Sequence, residues 1–479
     1  MPPEIPAIDS IRHVHFVAVA GTAMGTLACM LSELGMRVTG SDVAAYPPMS
    51  DQLRAAGIQI EKGFAAEHVA DKRPDLVIIG NAVRADNLEA RAAIDSGLPY
   101  LSLPDAVQLF FLGGKHSVAI VGTHGKTTST SLIGWILTHA KRDPSVLIGG
   151  VAANFDGSFR IGGGKHFVIE GDEYDTAFFD KTPKFMHYNA RSLLFTSCEF
   201  DHADIYDSLD QIKQSFIDLV ESIPADGLIV AATDVPAVDD ILAVHAQATV
   251  EGYGFREAAL WKVTDVVASP AETKFTVWRG EERMGLVRSP LHGTHNLENV
   301  LGAVALCHGL GVDVEESIAA LADFHGEKRR QECRGEAAGM AVIDDFAHHP
   351  TAVRETVGAM RARYPDRELW AVFEPRTNTS RRRFFEDEYV DALAGADRVI
   401  IGAVYNADQI PDDERMRPEY VASELLSRGV DAIHLAGVDD IVDRLARHRS
   451  GNDVALIMSN GEFGGICELL LARLGREER

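Results

Sequence analysis

With 479 residues, 46% of them hydrophobic and 24% charged, the chain has the composition of a globular protein too long for one core, and we expect three domains. Its formal net charge of −25 disfavours nucleic acid as a partner, because binding a phosphate backbone needs a broad basic surface. Five scattered cysteines in no CxxC pair argue against a disulfide framework or a zinc site, and the chain has neither a long apolar run nor a secretory signal, so we expect a cytoplasmic protein with no membrane partner.

The first elements predicted along the chain are a strand, a glycine turn, a helix and a second strand. The strand covers residues 13–20, the turn covers 21–25, the helix continues to Leu34, and the second strand covers 36–40. This βαβ order is typical of dinucleotide-binding folds, although the GxGxxG fingerprint is incomplete here. Asp42 follows the second strand, where a carboxylate could bind a ribose hydroxyl.

Two further strands complete the first unit. Residues 75–79 and 99–103 predict strands, and their alternation with helical segments implies a parallel sheet. The segment Gly113-Gly114-Lys115 predicts a linker, because it separates this unit from the strand that follows. We therefore expect a first domain over residues 1–113.

Residues 117–128, SVAIVGTHGKTT, carry the most informative motif of the chain. An apolar strand ends in a glycine-flanked turn at residues 122–125, which we call the phosphate loop, and a helix is predicted to follow. Backbone N–H groups of such a turn bind phosphate oxygens, and the positive end of the helix dipole faces them. Lys126 would reach the terminal phosphates and Thr127 would bind magnesium. The loop is shorter than the general GxxxxGK[ST] pattern, because Ile120 stands where the first glycine would be.

Acidic loops follow two later strands of this second unit. The strand at 167–170 leads into Glu-Gly-Asp-Glu-Tyr-Asp, and the strand at 192–197 leads into Glu-Phe-Asp-His-Ala-Asp. Parallel sheets bind ligands at the carboxyl ends of their strands, and magnesium prefers carboxylate oxygens. Glu170 is the best candidate ligand. His202 is a less usual magnesium ligand, and a histidine that orders its loop is the alternative.

The second domain is predicted to continue through a hairpin and a helix. Residues 275–278 and 284–288 predict paired strands around a Gly-Glu-Glu turn. The polar segment 292–296 then opens a helix that runs to about Leu310. We expect this domain to cover residues 114–324.

A third α/β unit is predicted over residues 325–479. Its five predicted strands lie at 341–343, 369–373, 398–402, 432–435 and 454–458. The chain shows no internal repeat, coiled coil or low-complexity tract. Two basic triplets, 328–330 and 381–383, could bind anions or could be solvated surface.

The order of these motifs resembles the Mur ligase family. The motifs are GTHGKTT at 122–128, EGDEYD at 170–175, EFDHADIY at 199–206, HNLEN at 295–299 and DDFAHHPTA at 344–352. The resemblance covers essentially the whole chain and implies an α/β protein of three domains. These are a Rossmann-like domain that binds the UDP-sugar (1–113), a central P-loop ATPase domain (114–324) and a Rossmann-like C-terminal domain that binds the amino substrate (325–479).

The resemblance also implies roles for individual residues. Residues expected to bind ATP are Gly122, Thr123, His124, Gly125, Lys126, Thr127, Thr128, His295, Asn296, Asn299, Arg330 and Asp345. Residues expected to bind the UDP-sugar are Gly21, Thr22, Ala23, Met24, Gly25, Asp42 and Asn81. The expected metal ligands are Thr127, Glu170 and His202, and the expected catalytic residues are Lys126, His202, His348 and Arg376.

The family resemblance implies an ATP- and Mg²⁺-dependent ligase of peptidoglycan metabolism. Such an enzyme joins the lactyl carboxylate of UDP-N-acetylmuramate to an amine through an acyl phosphate. Segments 46–50, 172–181, 374–379 and 458–461 resemble members that take the recycled murein tripeptide L-Ala-γ-D-Glu-meso-diaminopimelate. Addition of L-alanine in new synthesis is the alternative, and the oligomeric state stays open.

Two other classes of function fit parts of the sequence. A nucleotide-dependent switch would use the phosphate loop but would hydrolyse ATP without a sugar nucleotide or an amine. An NAD-linked dehydrogenase would use the glycine turn at 21–25, but it leaves Lys126, Glu170 and His202 without a role. Phosphate release that requires both the sugar nucleotide and an amine would distinguish a ligase from a switch.

Overall fold

The computed structural model describes residues 4–47, 49–201 and 205–476. Their strands form three large sheets, each covered by helices, and one two-stranded ribbon. The three sheets follow one another along the chain without exchanging strands. The α/β class predicted from the sequence is confirmed, and none of the described helices is long and apolar enough to cross a membrane.

The first sheet is parallel and has the order β3-β2-β1-β4-β5. Its strands are β1 (His13–Val17), β2 (Arg37–Asp42), β3 (Gln59–Lys62), β4 (Leu76–Ile79) and β5 (Tyr100–Ser102). Its helices are α1 (Thr22–Glu33), α2 (Met49–Ala55), α3 (Glu67–Ala70), α4 (Leu88–Asp95) and α5 (Leu103–Val107). The first strand was predicted to reach residue 20 but ends at Val17, because Ala18 has a left-handed φ of 67° that breaks the extended chain.

The central sheet has ten strands in the order β17-β16-β15-β14-β13-β12-β6-β9-β7-β8. They are β6 (His116–Val121), β7 (Ser145–Ala152), β8 (Gly157–Arg160), β9 (His166–Glu170), β12 (Ser192–Phe195), β13 (Leu228–Ala232), β14 (Thr249–Gly254), β15 (Trp261–Ala268), β16 (Thr273–Arg279) and β17 (Glu282–Ser289). The ribbon is β10 (Asp175–Ala177) with β11 (Asp180–Pro183). The helices that accompany the central sheet are α6 (Lys126–His139), α7 (Leu209–Ser222), α8 (Pro236–His245), α9 (Thr294–Gly309) and α10 (Val314–Ala322). The predicted pairing of β16 with β17 is confirmed.

The third sheet has the order β18-β19-β23-β20-β21-β22. Its strands are β18 (Glu332–Ala337), β19 (Met340–Asp345), β20 (Glu368–Phe373), β21 (Arg398–Ile401), β22 (Asp431–His434) and β23 (Asp453–Met458). Its helices are α11 (Pro350–Arg363), α12 (Glu386–Leu393), α13 (Pro418–Ser427), α14 (Val438–His448) and α15 (Ile466–Leu474). The five predicted strands are present, whereas the antiparallel edge strand β18 was missed because its burial does not follow a clear alternation.

The connection between the second and third sheets is held against the central sheet. Ala153 donates its N–H to the carbonyl of Gly326, and Lys328 donates to the carbonyl of Val151. Glu327, between these two bonds, is buried. The backbone of residues 326–328 therefore extends the edge of β7, which fixes where the C-terminal chain begins relative to the phosphate loop.

Candidate active site

The phosphate loop lies between β6 and α6, as the sequence predicted. Gly122 and Gly125 both have positive φ, 128° and 80°. A Cβ on Gly122 would lie 2.3 Å from Oγ1 of Thr196, and a Cβ on Gly125 would lie 2.3 Å from Oδ1 of Asn299. Both positions therefore require glycine for backbone conformation and for space. The loop that results presents the N-terminus of the 14-residue helix α6.

Lys126 is paired with a carboxylate within the site. Its Nζ donates to the carbonyl of Gly122 at 2.6 Å and to both carboxylate oxygens of Glu173, at 2.8 and 3.1 Å. Burial opposes the charge on Lys126, but the carboxylates of Glu173, Asp172 and Glu170 outweigh it and hold its pKa above the ordinary value. Lys126 is therefore a largely buried cation with Glu173 as its counterion.

Thr127 and Glu170 place hard oxygen ligands beside the loop. Oγ1 of Thr127 donates to Oε1 of Glu170 at 3.2 Å, and Arg330 donates to the same hydroxyl at 3.3 Å. Oε2 of Glu170 accepts the N–H of Gly149 at 2.8 Å. Burial raises the pKa of Glu170, and the charge of Lys126 opposes this. A hydroxyl and a carboxylate at this distance form a donor set that suits Mg²⁺.

The asparagines of α9 pack against the phosphate loop. Nδ2 of Asn299 donates to Oδ1 of Asn296 at 3.2 Å, and Ser129 of α6 donates to Oδ1 of Asn299 at the same distance. Asn296 in turn donates to the carbonyl of His292 at 2.8 Å. These bonds connect the start of α9 to the first turn of α6. The structure thus brings both predicted asparagines to the predicted phosphate loop.

His295 reaches from α9 toward the C-terminal domain. Its Nε2 accepts a hydrogen bond of 3.4 Å from Nε2 of Gln331, and its Nδ1 lies 3.9 Å from a carboxylate oxygen of Glu355. Asp345 holds the facing segment, since its carboxylate accepts the N–H of Gln331 and the N–H of Ala347, both at 2.8 Å. Asp345 therefore acts in this structure through backbone bonds of its own domain.

His348 has one ring nitrogen placed to act as a base. Its Nδ1 faces the carbonyl of Phe346 at 3.0 Å, and its Nε2 lies 4.0 Å from Oδ2 of Asp201. Because a carbonyl only accepts, Nδ1 carries the proton and Nε2 carries the lone pair. Burial lowers the pKa of His348. The other histidine proposed for proton transfer and metal binding, His202, lies outside the described residues.

Arg376 lies against an aromatic ring at the carboxyl end of the third sheet. Its guanidinium carbon is 3.7 Å from the centre of the Tyr405 ring, and NH1 is 3.6 Å from Oε1 of Glu374. A Cβ on Gly461 would collide with this guanidinium. Stacking and a fixed carboxylate hold Arg376 in one place with a planar set of donors.

A cluster that the sequence did not single out connects the phosphate loop to the C-terminal domain. Oε2 of Glu199 lies 3.1 Å from Nε2 of His124 and 3.6 Å from Nδ1 of His349, and it accepts the hydroxyl proton of Thr351 at 2.8 Å. Burial opposes the charge on Glu199, but the hydrogen bond and charge of His124 outweigh it and lower its pKa to about 2. Burial lowers the pKa of His349 to about 4. We call His124, Glu199 and His349 the junction cluster.

The glycine turn of the first domain opens into a cavity of about 540 Å³. Gly21, Met24, Asp42 and Asn81 line it, together with residues 82–84, 86 and 87 of the segment before α4. Thr22, Ala23 and Gly25 lie in the first turn of α1 beside it. The carboxylate of Asp42 accepts the N–H groups of Ala20 and Val43, at 2.8 and 2.7 Å, so it also fixes the shape of the turn.

Three buried or half-buried carboxylates near the loop escaped the sequence interpretation as site residues. Glu173 pairs with Lys126, Glu199 belongs to the junction cluster, and Glu327 accepts the hydroxyl of Thr128 at 3.3 Å. Glu173 and Glu199 stand inside acidic motifs that were noted but not resolved residue by residue. Glu327 precedes a basic triplet and gave no local signal, because its partner lies 199 positions away.

Comparison with known proteins places the whole chain in one context. The model described as "Mur ligase family, catalytic domain" matches residues 13–113, "Mur ligase middle domain" matches 120–307, and "Mur ligase, glutamate ligase domain" matches 329–461. The UDP-N-acetylmuramate–L-alanyl-γ-D-glutamyl-meso-2,6-diaminoheptandioate ligase of Escherichia coli K12 is 37% identical, over 97% of this chain and 98% of its own.

A second curated relative and a solved structure also match nearly the whole chain. The UDP-N-acetylmuramate–L-alanine ligase of Acetivibrio thermocellus is 34% identical, over 97% of this chain and 96% of its own. The crystal structure of a murein peptide ligase from Psychrobacter arcticus 273-4 matches with a TM-score of 0.73 and 34% identity, over 97% of this chain and 99% of that chain. Sequence and fold agree along nearly the full length.

Proposed function

The chain belongs to the Mur ligase family, and we propose that it joins the lactyl carboxylate of UDP-N-acetylmuramate to the amine of the tripeptide L-Ala-γ-D-Glu-meso-diaminopimelate, with ATP converted to ADP and phosphate. The observation that carries the proposal is the meeting of Lys126, Thr127, Glu170 and Arg330 at one glycine loop. The end-to-end match to a tripeptide ligase supports the choice of substrates.

Activation of the carboxylate is the first chemical requirement, because an unactivated carboxylate would have to expel oxide. An oxygen of the lactyl carboxylate attacks the γ-phosphorus of ATP, the bond to the β-γ bridging oxygen breaks, and ADP leaves with an acyl phosphate formed. Lys126 exchanges Glu173 for phosphate oxygens and stabilises their spreading charge. Arg330, which contacts Thr127, adds a second cation from the C-terminal domain.

Thr127 and Glu170 are the residues we assign to Mg²⁺. Their oxygens lie 3.2 Å apart. Gly149 leaves space beside Glu170, because a Cβ at this position would lie 2.6 Å from the Glu170 carboxylate. Mg²⁺ bound here would supply charge neutralisation to the terminal phosphates. We also propose His202 as a ligand, on the family resemblance.

Amide formation is the second step. The amine of the tripeptide attacks the acyl carbon, a C–N bond forms, and the acyl C–O bond breaks with release of phosphate. The amine must lose a proton in this step, and we assign it to the lone pair on Nε2 of His348, which faces Asp201. An acyl phosphate hydrolyses in water, so we expect the C-terminal domain to close on the phosphate loop before this chemistry.

Arg376 is the residue we assign to a carboxylate of the tripeptide. Its planar donors are held by Tyr405 and Glu374 at the carboxyl end of the third sheet. The neighbouring triplet 381–383 is engaged in its own loop, since Arg382 pairs with Glu414 and Arg383 donates to the carbonyls of residues 412 and 415. We therefore assign recognition to Arg376 and not to the triplet.

The UDP portion of the sugar nucleotide is assigned to the cavity of the first domain. The cavity of about 540 Å³ lies at the N-terminus of α1, whose N–H groups and dipole favour a diphosphate. Gly21 leaves the approach to this helix end open, since a Cβ there would meet no atom within 4 Å. Asn81 offers an exposed amide on the opposite wall.

Addition of L-alanine is the second candidate, because the alanine ligase of Acetivibrio thermocellus is 34% identical over nearly the same length. Purified protein with Mg²⁺, ATP and UDP-N-acetylmuramate should be given either L-alanine or the tripeptide, and products identified by mass. Tripeptide product with little alanine product supports the proposal. The reverse preference would make this an alanine ligase, and ATP hydrolysis that needs neither the sugar nucleotide nor an amine would contradict ligation altogether.

A further inference from the structure

The junction cluster has the composition and spacing of a metal site. Nε2 of His124, Oε2 of Glu199 and Nδ1 of His349 lie within 4.8 Å of one another. We propose that these three residues bind a transition-metal ion of the zinc class, separate from the Mg²⁺ that accompanies ATP. The cysteine pattern gave no sign of such a site, because its ligands are two histidines and a glutamate from three distant segments.

Two of the three ligand separations are close to those of a tetrahedral site. Zinc bonds to histidine nitrogen and carboxylate oxygen are about 2.0–2.2 Å long, which puts neighbouring ligands of a tetrahedral site about 3.3 Å apart. The carboxylate oxygen lies 3.1 Å from one ring nitrogen and 3.6 Å from the other. The two ring nitrogens lie within 4.8 Å of each other, so binding would draw the imidazoles toward a common ion.

The hydrogen bonds around His349 fix which of its ring nitrogens carries the proton. Its Nε2 faces the carbonyl of Phe200 at 3.2 Å, so this nitrogen carries the proton. Its Nδ1 is unprotonated and accepts the N–H of Thr351 at 3.3 Å, so an ion would take this lone pair over from the helix cap. A histidine that donates its second N–H to a carbonyl is the usual arrangement of a metal ligand, and the hydroxyl of Thr351 orients Glu199 in the same way.

The ligand types separate this site from the Mg²⁺ site. Thr127 and Glu170 offer only oxygen, which Mg²⁺ prefers, whereas two imidazoles and one carboxylate favour zinc, cobalt or nickel. A cavity of about 210 Å³ reaches Glu199 and His349 and is also lined by Arg354 and Glu388. This opening gives an ion a path to the ligands and leaves room for a water molecule as fourth ligand.

An ion at this position would join two domains. His124 belongs to the phosphate loop, Glu199 follows β12 of the central sheet, and His349 is the N-cap of α11 in the C-terminal domain. The ion would add coordinate bonds to the hydrogen bonds that already link these parts, such as the one between His349 and the carbonyl of Phe200. We therefore expect binding to hold the C-terminal domain against the phosphate loop and to raise the temperature of thermal unfolding.

The test uses the full chain without nucleotide. Co²⁺ is titrated as a spectroscopic probe, and Zn²⁺ binding is measured by competition with a chromogenic chelator. We expect one ion per chain, the visible absorption bands of a four-coordinate Co²⁺ site, and a loss of affinity of at least about 100-fold in His349→Gln and in Glu199→Gln. The matched controls are His348→Gln, the adjacent histidine that faces Asp201, and Glu170→Gln in the Mg²⁺ site. Both should keep the ion.

Two outcomes would overturn the proposal. One is absence of stoichiometric binding by the unaltered chain, and the other is binding that is lost in Glu170→Gln but kept in His349→Gln. Because a variant could fail to fold, crystals of the unaltered chain soaked in Zn²⁺ provide an independent measurement. An anomalous peak between His124 and His349 supports the site, and a peak beside Glu170 alone contradicts it. None of these readouts depends on ligase activity, so they stand apart from the proposed function.

Discussion

The first-domain cavity and the phosphate-loop site are built in different ways. The residues that line the cavity all lie between positions 18 and 87, and one of its two acidic residues, Asp42, accepts two backbone N–H groups. The phosphate-loop site collects side chains from residues as far apart as Lys126 and Arg330, and its charged groups pair with one another. Backbone hydrogen bonds fix the acidic residue Asp42 of the first-domain cavity. Ion pairs between side chains hold the charged groups of the phosphate-loop site.

The difference indicates what each region must do when a ligand arrives. Bonds to the backbone keep Asp42 and the glycine turn in place, so we expect the cavity to bind with little rearrangement. In the proposed function Lys126 exchanges Glu173 for phosphate oxygens, so we expect nucleotide binding to break an existing ion pair. The phosphate-loop site should therefore respond strongly to changes of charge, and the first domain to changes that disturb its buried supports.

Lys126→Ala should produce the largest effect and would show that the phosphate-loop site depends on charge. We expect kcat for tripeptide ligation to fall roughly 1000-fold, which corresponds to about 4 kcal/mol, because the transferred phosphoryl group loses its cation. The measurement is product formation at saturating substrates. Lys165→Ala removes an exposed lysine and should leave the rate unchanged. A fall of less than about tenfold in the Lys126 variant would contradict the assignment.

Glu89→Ala tests the other region, where a buried carboxylate supports the strands beside the cavity. Glu89 is fully buried and accepts from His15 and Ser41 at 2.6 Å and from His68 at 2.9 Å. Removing it leaves these groups without their acceptor, and we expect the first domain to lose about 3 kcal/mol of stability.

The readout for Glu89→Ala is hydrogen exchange of peptides from β1, β2 and α4, because the four tryptophans of the chain all lie outside the first domain. Glu33→Ala, at the exposed end of α1, is the matched control and should leave exchange unchanged. Equal protection in both variants would mean that the buried network does not support this domain. If Glu89→Ala also speeds exchange in peptides from the central sheet, the first domain and the central domain unfold together.

Glu173→Gln sharpens the comparison, because it removes the negative charge that pairs with Lys126. Without this partner the nucleotide-free state is less stable, so a non-hydrolysable ATP analogue should bind about tenfold more tightly, or about 1.4 kcal/mol. Calorimetric titration measures this directly. Glu170→Gln, which alters the carboxylate assigned to Mg²⁺, should weaken binding of the ATP analogue in the presence of Mg²⁺. Weaker binding in both variants would mean that Glu173 assists the nucleotide and does not compete with it.

Acid should destabilise the central domain through His166. Burial lowers the pKa of this histidine to about 4, against about 6.5 in an unfolded chain. Below pH 6.5 the unfolded chain binds a proton that the folded chain does not, so this contribution is complete above pH 6.5 and is lost as the pH falls toward 4. The expected slope is at most about 1.4 kcal/mol per pH unit.

Urea unfolding followed by tryptophan fluorescence at pH 7.5 and 5.5 measures this slope. His166→Gln should lose less stability between the two values than the unaltered chain, and His325→Gln, at an exposed position, should not differ from it. Burial also lowers the pKa of His13 in the first domain to about 4. Hydrogen exchange at both pH values would show whether the two domains respond to acid alike. An unchanged slope in His166→Gln would contradict the role of this histidine.

Local patterns were enough to predict the positions of most strands and of the phosphate loop. Strands such as β9, β20 and β23 are runs of buried apolar residues, and the glycines at 122 and 125 mark the turn that follows β6. The edge strand β18 was missed because an exposed antiparallel edge lacks such a run. The strand β1 ends earlier than predicted because Ala18 has a positive φ, which an alanine in the sequence does not indicate.

The sequence by itself determined the α/β architecture and the family, because both depend on short-range patterns and motif order. Only the tertiary structure decided which charges meet, since a side chain's partner is set by how sheets and domains pack. It paired Lys126 with Glu173, 47 positions away, and placed Glu327 against Thr128 across 199 positions. It also joined His124, Glu199 and His349 from two domains, because the end of β12 and the start of α11 meet at the phosphate loop.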